Sequence, residues 1–277
     1  MGITAAYVRD RLPEIRKEYN KYDRGRLLLI AGSYGMAGAC ILACRSALRS
    51  GIGYLNAAVP KEIYGIVAVA VPEAVFTVYE KPEDLTKALG KADAVLLGPG
   101  LGTLRDDISA FVFSEGTKPL LIDADGLNAL AAQPRAFSGR DVVLTPHEGE
   151  MARLLGTSSA EVRLDRRGAL LRAAELYQAA VLLKGPETLV TGGDVILENH
   201  TGNPCLATAG SGDVLSGIIG TLMAQGVKAS EATVMGAWIH GSAGDLAAER
   251  FGIRSARPSD VIEMIPEVFL RLEGRLL

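Results

Sequence analysis

Seven short apolar runs recur along the first two thirds of the chain: RLLLIAG (26–32), YLNAAVP (54–60), AVFTVY (74–79), ADAVLLG (92–98), PLLIDAD (119–125), DVVLTP (141–146) and AVLLKG (180–185). Several are apolar throughout, which is the pattern of strands buried on both faces of a parallel sheet. Between them stand stretches with helical periodicity, such as MAGACILACRSALRS (36–50) and SAEVRLDRRGALLRAAELYQ (159–178). The alternation predicts a doubly wound α/β fold, a mostly parallel sheet with helices on both faces. ETLVTGGDVILEN (187–199) predicts a hairpin turning at Gly192-Gly193. The chain then turns helical through VLSGIIGTLMAQ (214–225) and SEATVMGAWIHGSAGDLAAER (230–250). No linker, repeat or low-complexity tract interrupts the pattern, so a single domain over 1–277 is expected.

Composition narrows the classes. The 277 residues are 48% hydrophobic and 22% charged, with 32 glycines, as in a globular domain with a large core. The net charge is −3, from 29 Lys plus Arg against 32 Asp plus Glu, and no basic run stands out, which argues against nucleic acid. Three cysteines give no disulfide framework and predict buried, reduced thiols in a cytoplasmic protein. The first ten residues, MGITAAYVRD, lack the pattern of a secretory signal, and no stretch has the length and apolarity expected of a membrane span.

In parallel sheets ligands bind beyond the carboxyl ends of the strands. The unusual residues fall there: Gly32-Ser33, GPGLG (98–102), DADGLN (123–128), TPHEGE (145–150) and KGPET (184–188). A sixth segment, LATAGSGDVLSGIIG (206–220), sets Gly210, Ser211 and Gly212 directly before Asp213 at a helix start. Bare N–H groups and the helix dipole favour an anion there, and glycines let it come close. Asp213 as a plain first-turn acid would leave Gly210 and Gly212 unexplained. The loop lacks the Walker A pattern, and neither GSGDVL nor GPGLGT keeps the dinucleotide spacing. His147 can cap or pack, Glu150 can be a first-turn acid, and Lys184 suits a phosphate and a solvated strand end equally. His200 and His240 have no site neighbour in the sequence pattern and are expected to be structural. No His, Cys and carboxylate cluster has metal-ligand spacing.

TPHEGE, then LLKGPETLV, then GNPCLATAGSGDVLSGIIG, in that order, resemble the ribokinase-like superfamily. With LLLIAGSYGMAGACILACRSALRSGIGY, LLGPGLG and LIDADGLNAL ahead of them, they resemble more closely the ADP-dependent NAD(P)H-hydrate dehydratases, over roughly residue 25 to the end. The resemblance implies a repair enzyme. It would phosphorylate the C6 hydroxyl of the (S)-hydrate of NADH or NADPH with ADP or ATP, then expel phosphate. It implies Asp213 as general base, with the N–H groups of Gly210, Ser211 and Gly212 as the anion hole. Lys184, Gly185, Pro186, Glu187 and Thr188, with Gly212, would bind nucleotide. Ala39, Gly100, His147 and Asp213 would meet the hydrate, and Glu150 would organise Mg2+ through water. It further implies a homotetramer, with small-residue C-terminal helices packing between subunits, and a functional link to an NAD(P)H-hydrate epimerase. The residues before Lys21 are too few for the epimerase domain fused ahead in some members. The loop departs from the family's Gly-Gly-Thr-Gly-Asp, reading AGSGD, which keeps a hydroxyl and small size. Two other readings share the fold: a kinase of a small alcohol such as a hydroxymethylpyrimidine or hydroxyethylthiazole, and a non-catalytic nucleotide-binding module.

Overall fold

The computed structural model describes residues 2–102, 105–192 and 195–275. In chain order the elements are α1 (Ala5–Arg9), β1 (Arg26–Ile30), α2 (Ala37–Arg49), β2 (Tyr54–Pro60), α3 (Lys61–Ala70), β3 (Val75–Tyr79), α4 (Thr86–Lys91) and β4 (Ala94–Leu97). They continue through α5 (Asp106–Glu115), β5 (Leu120–Ile122), α6 (Asp125–Ala132), β6 (Val142–Leu144), α7 (Glu148–Leu155), α8 (Ser159–Leu164), α9 (Arg166–Tyr177) and β7 (Ala180–Leu183). The hairpin β8 (Thr188–Gly192) and β9 (Val195–Asn199) follows, then α10 (Ser211–Ala224), α11 (Ala229–Phe251) and α12 (Pro258–Leu272). Gly193, half of the expected hairpin turn, lies outside the described residues.

One sheet carries nine strands in the order β3-β2-β1-β4-β5-β6-β7-β8-β9. The first seven are parallel, and β8 and β9 join antiparallel. Side chains alternate between two cores, as a period of two requires. Leu27 and Leu29 of β1 face the core shared with α2, α10, α11 and α12. Leu28 and Ile30 face the core shared with α5, α6, α7 and α9. The continuously apolar runs are therefore strands buried on both faces, and the doubly wound expectation holds.

Two expectations need correction. Residues 159–178 are not one helix: the backbone at Asp165 leaves helical geometry (φ −138°, ψ 70°), and its carboxylate accepts from Gly168 N at 2.8 Å, capping a second helix. The small residues of α11 pack inside the subunit. A Cβ at Gly236 would lie 2.4 Å from Ile219, and one at Gly244 would lie 2.7 Å from Leu206. The three cysteines are buried and free.

Candidate active site

The chain order reverses at β1, which has β2 on one side and β4 on the other. The loops beyond these strands part at such a point and leave a crevice. Its walls are fixed by backbone: Gly32 N donates to Pro99 O at 2.8 Å, and Ser33 Oγ donates to Gly100 O at 2.9 Å. Ala39, near the start of α2, abuts Gly100; a Cβ there would fall 2.8 Å from that of Ala39. Neighbouring Gly98 has φ 125°, and a Cβ on it would lie 1.9 Å from the Asp123 carbonyl oxygen. Glycine alone allows the β4 and β5 loops to meet this closely.

Asp123, at the end of β5, is the charged centre of the groove, with 1% of its surface exposed. Thr145 Oγ1 (2.9 Å) and Lys184 Nζ (3.0 Å) donate to its Oδ1, and Ser216 Oγ (2.6 Å) donates to Oδ2. Lys184 Nζ also lies 3.6 Å from Glu150 Oε2. Burial opposes its charge, yet the Asp123 and Glu150 carboxylates outweigh burial and raise its pKa. Lys184 is thus a partly buried ion-pair member rather than a solvated strand end. Ala124 takes φ 48° and ψ −117°, a conformation that favours glycine, and the kink separates two aspartates. Asp123 points to Lys184, while Asp125 accepts from Gly102 N at 2.8 Å.

Helix α10 starts at this centre. Its N-cap, Gly210, has φ 95°, and a Cβ there would meet Leu42 at 2.5 Å. Asp213 stands in the first turn. Burial pushes its carboxyl up to about 7; Asp123 and Asp125 add to the shift, and Lys184 opposes it. Gly212 is helical rather than left-handed, and a Cβ there would make ordinary contact with Lys184 Nζ at 3.5 Å, so the missing side chain leaves space inside the groove rather than relieving a clash. The expected anion hole needs amendment, because Ser211 N donates to Thr208 O at 3.2 Å and is not available. Ser211 Oγ instead lies 3.2 Å from His240 Nε2. His240 on α11 is therefore a neighbour of the anion loop, contrary to the expectation drawn from sequence. Burial lowers its pKa to about 4, so it is neutral.

Helix α7 supplies the other wall. His147 is its N-cap: Nδ1 accepts from Gly149 N (2.9 Å) and Glu150 N (3.3 Å). Glu150 Oε2 accepts in return from His147 N at 2.8 Å, closing a capping box. One cavity of about 700 Å3 runs between these walls, lined by His147, Lys184, Gly185, Pro186, Thr188, Ser211, Gly212 and His240, among others. That volume suits a nucleotide-sized ligand. Glu187 does not line it; its carbonyl accepts from Arg166 Nη2 at 3.1 Å. Nor do Ala39 and Gly100, so His147 shares a cavity with the 184–188 segment and not with those two. Asp213 stands close enough to Asp123, Lys184 and Asp125 to feel all three charges.

Sequence reading passed over Asp123, Ser216 and His240. DADGLN carried a signal for Asp123, a charged residue ending an apolar strand. Ser216 and His240 sit inside long apolar helices and gave none.

Fold and site define a ribokinase-like protein. The structure of the ADP/ATP-dependent NAD(P)H-hydrate dehydratase from Bacillus subtilis, co-crystallised with ATP/Mg2+, superposes with a TM-score of 0.86 and 28% identity over 98% of both chains. The family profile described as NAD(P)H-hydrate dehydratase matches residues 27–267. The chain is 40% identical over 259 residues to the ADP-dependent (S)-NAD(P)H-hydrate dehydratase of Neisseria meningitidis, covering 88% of this chain and 85% of that protein. It is 40% identical over 288 residues to the bifunctional NAD(P)H-hydrate repair enzyme of Moorella thermoacetica, covering 98% of this chain and 54% of that one. It thus spans about half the length of the bifunctional relatives it matches. The chain belongs to the NAD(P)H-hydrate dehydratase family, and these matches favour that reading over the small-alcohol kinases.

Proposed function

We propose that the protein restores NADH and NADPH from their (S)-hydrates at the expense of a nucleotide, ADP becoming AMP. Asp213 accepts the proton of the C6 hydroxyl as the oxygen attacks the terminal phosphorus. AMP leaves, then phosphate departs from C6 and a proton from C5 as the ring double bond forms. The observation that carries this is a partly buried carboxylate, pushed up to about 7, in the first turn of α10 beside Lys184. A base poised near neutral pH suits proton abstraction from an alcohol. The N–H groups of Gly210 and Gly212 and the dipole of α10 would hold the transferred phosphoryl group.

Lys184, Gly185, Pro186 and Thr188, with Gly212, would bind the nucleotide in the large cavity, and Ala39 and Gly100 would bound the hydrate across the crevice. No group of three or more metal-ligating side chains that could hold an ion occurs among the described residues. That suits Mg2+, which keeps several waters and binds with substrate phosphates. Glu150, 6% exposed and facing Lys184, would hold it through water, where the ion would neutralise phosphate charge.

Incubation with NADH hydrate and ADP or ATP tests the reading. Recovered dihydronicotinamide absorbance with release of free phosphate is expected. A stable phosphoester instead would establish a kinase, and nucleotide binding without turnover would establish a binding module. We further propose one ribokinase-like domain, since one sheet and two continuous cores serve all nine strands. A cytoplasmic homotetramer working alongside an NAD(P)H-hydrate epimerase completes the proposal, and sedimentation would establish the assembly.

A further inference from the structure

We propose that His240 is a positioning residue for the phosphate site: its Nε2–H donates to Ser211 Oγ and leaves the serine hydroxyl proton to donate to a phosphoryl oxygen. The inference rests on the reading that phosphate sits over the N-terminus of α10. Ser211 cannot serve that site through its backbone, because its N–H is committed to Thr208 O at 3.2 Å. What remains to it is the hydroxyl. That oxygen is 3.2 Å from His240 Nε2, and both residues line the cavity that Lys184 and Gly212 also line.

A hydroxyl has one proton to give and two lone pairs to receive with. If Nε2 were the acceptor, Ser211 would turn its proton away from the cavity and present lone pairs to an anion, which repels. If Nε2 carries the proton, the serine accepts from the ring and donates outward, and the two bonds polarise each other. His240 is 8% exposed and Lys184 stands close enough to disfavour a second positive charge, so the ring is neutral and carries one N–H. The anion fixes which nitrogen bears it.

The test has two arms. The chain has three histidines, His147, His200 and His240, so the ring nitrogens can be assigned by single substitutions and read by long-range 1H–15N correlation. With ADP bound, His240 should show the Nε2–H tautomer; the Nδ1–H tautomer would overturn the proposal. In the second arm ADP and adenosine affinities are measured by calorimetry. Ser211→Ala and His240→Leu should each weaken ADP roughly tenfold. The double variant should be no weaker than either, and adenosine should bind all of them alike. His240→Gln, whose amide N–H can replace Nε2–H, should regain most of the loss. If Ser211→Ala binds ADP as the unmodified protein does, or if Gln is no better than Leu, the serine hydroxyl is not a donor set by His240. Should His240→Leu not fold, Ser211→Ala and His240→Gln decide. Failure of the unmodified protein to bind ADP would instead remove the nucleotide reading beneath the inference.

Discussion

At the scale of single residues, chemistry and stability pull apart at the start of α10. The Asp213 carboxyl is pushed up to about 7, so the fold holds its charged form at a cost. Asp213→Asn should lower turnover roughly 10²–10⁴-fold, as loss of a general base does. The same change should raise stability at neutral pH by about 1–2 kcal/mol, discounted because the side chain is partly exposed. A parallel fall in activity and Tm would mean Asp213 is structural. Gly212→Ala separates the same two quantities. Its helical backbone accepts alanine, which should add about 0.5–1 kcal/mol of helix stability. Its methyl would lie 3.5 Å from Lys184 Nζ, where phosphate is proposed to sit, so ADP affinity should drop at least tenfold. Unchanged calorimetric affinity in a stabilised variant would move the phosphate elsewhere.

At the scale of elements, helix N-termini do the positioning. Helix α7 brings His147 and Glu150 to the groove through a reciprocal cap. The resemblance sets His147 against the hydrate and apart from the nucleotide segment, and sequence alone leaves open whether it caps or packs. The structure makes it a cap and places it in the nucleotide cavity. His147→Ala leaves the Gly149 and Glu150 N–H groups without their ring acceptor and frees Glu150, which should cost about 1 kcal/mol, or roughly 2–4 °C in Tm. Because His147 lines the cavity shared with residues 184–188, nucleotide affinity should weaken as well. His147→Asn, which keeps a capping acceptor, should restore Tm without restoring the ring's contact with ligand. If Tm returns and nucleotide affinity returns with it, the histidine acts only as a cap.

At the scale of the whole molecule, two groups titrate in opposition. Asp213 is held neutral up to about pH 7 against an ordinary carboxyl near 3.8, so between these values the unfolded chain binds fewer protons and stability falls as pH rises. His240 is held neutral down to about pH 4 against an ordinary imidazole near 6.5, so across that window the unfolded chain binds more protons and stability falls as pH drops. The two trends overlap between about 4 and 6.5 and offset each other. Asp213→Asn should unmask His240: its denaturation midpoint should fall more steeply with acid than that of the unmodified protein. The His240 share is about 2–3 kcal/mol over the window. Parallel pH curves for the two proteins would show that one of these groups is not shifted as its burial requires.

The sequence by itself determined the layers, the strands and the places where chemistry gathers. Strand burial on both faces writes itself as continuous apolar runs, and Gly210, Gly212, Asp213 and Lys184 stand out because no strand or helix interior asks for them. It overextended β4 and β5, since Gly98, Asp123 and Asp125 follow their strands without a break in the run. It joined α8 to α9 because an aspartate can cap or be carried along, and only the local backbone at Asp165 decided. Pairings across distance were left to the tertiary structure. Asp123 meets Lys184, 61 residues on, because parallel strands bring their ends to one edge, and it meets Ser216, 93 residues on, because α10 packs against β5. His240 meets Ser211 because α10 and α11 pack face to face, and neither helix carries a mark of the other in its own periodicity. Periodicity records which face of an element is buried; what that face meets depends on how elements far apart in the chain are brought together.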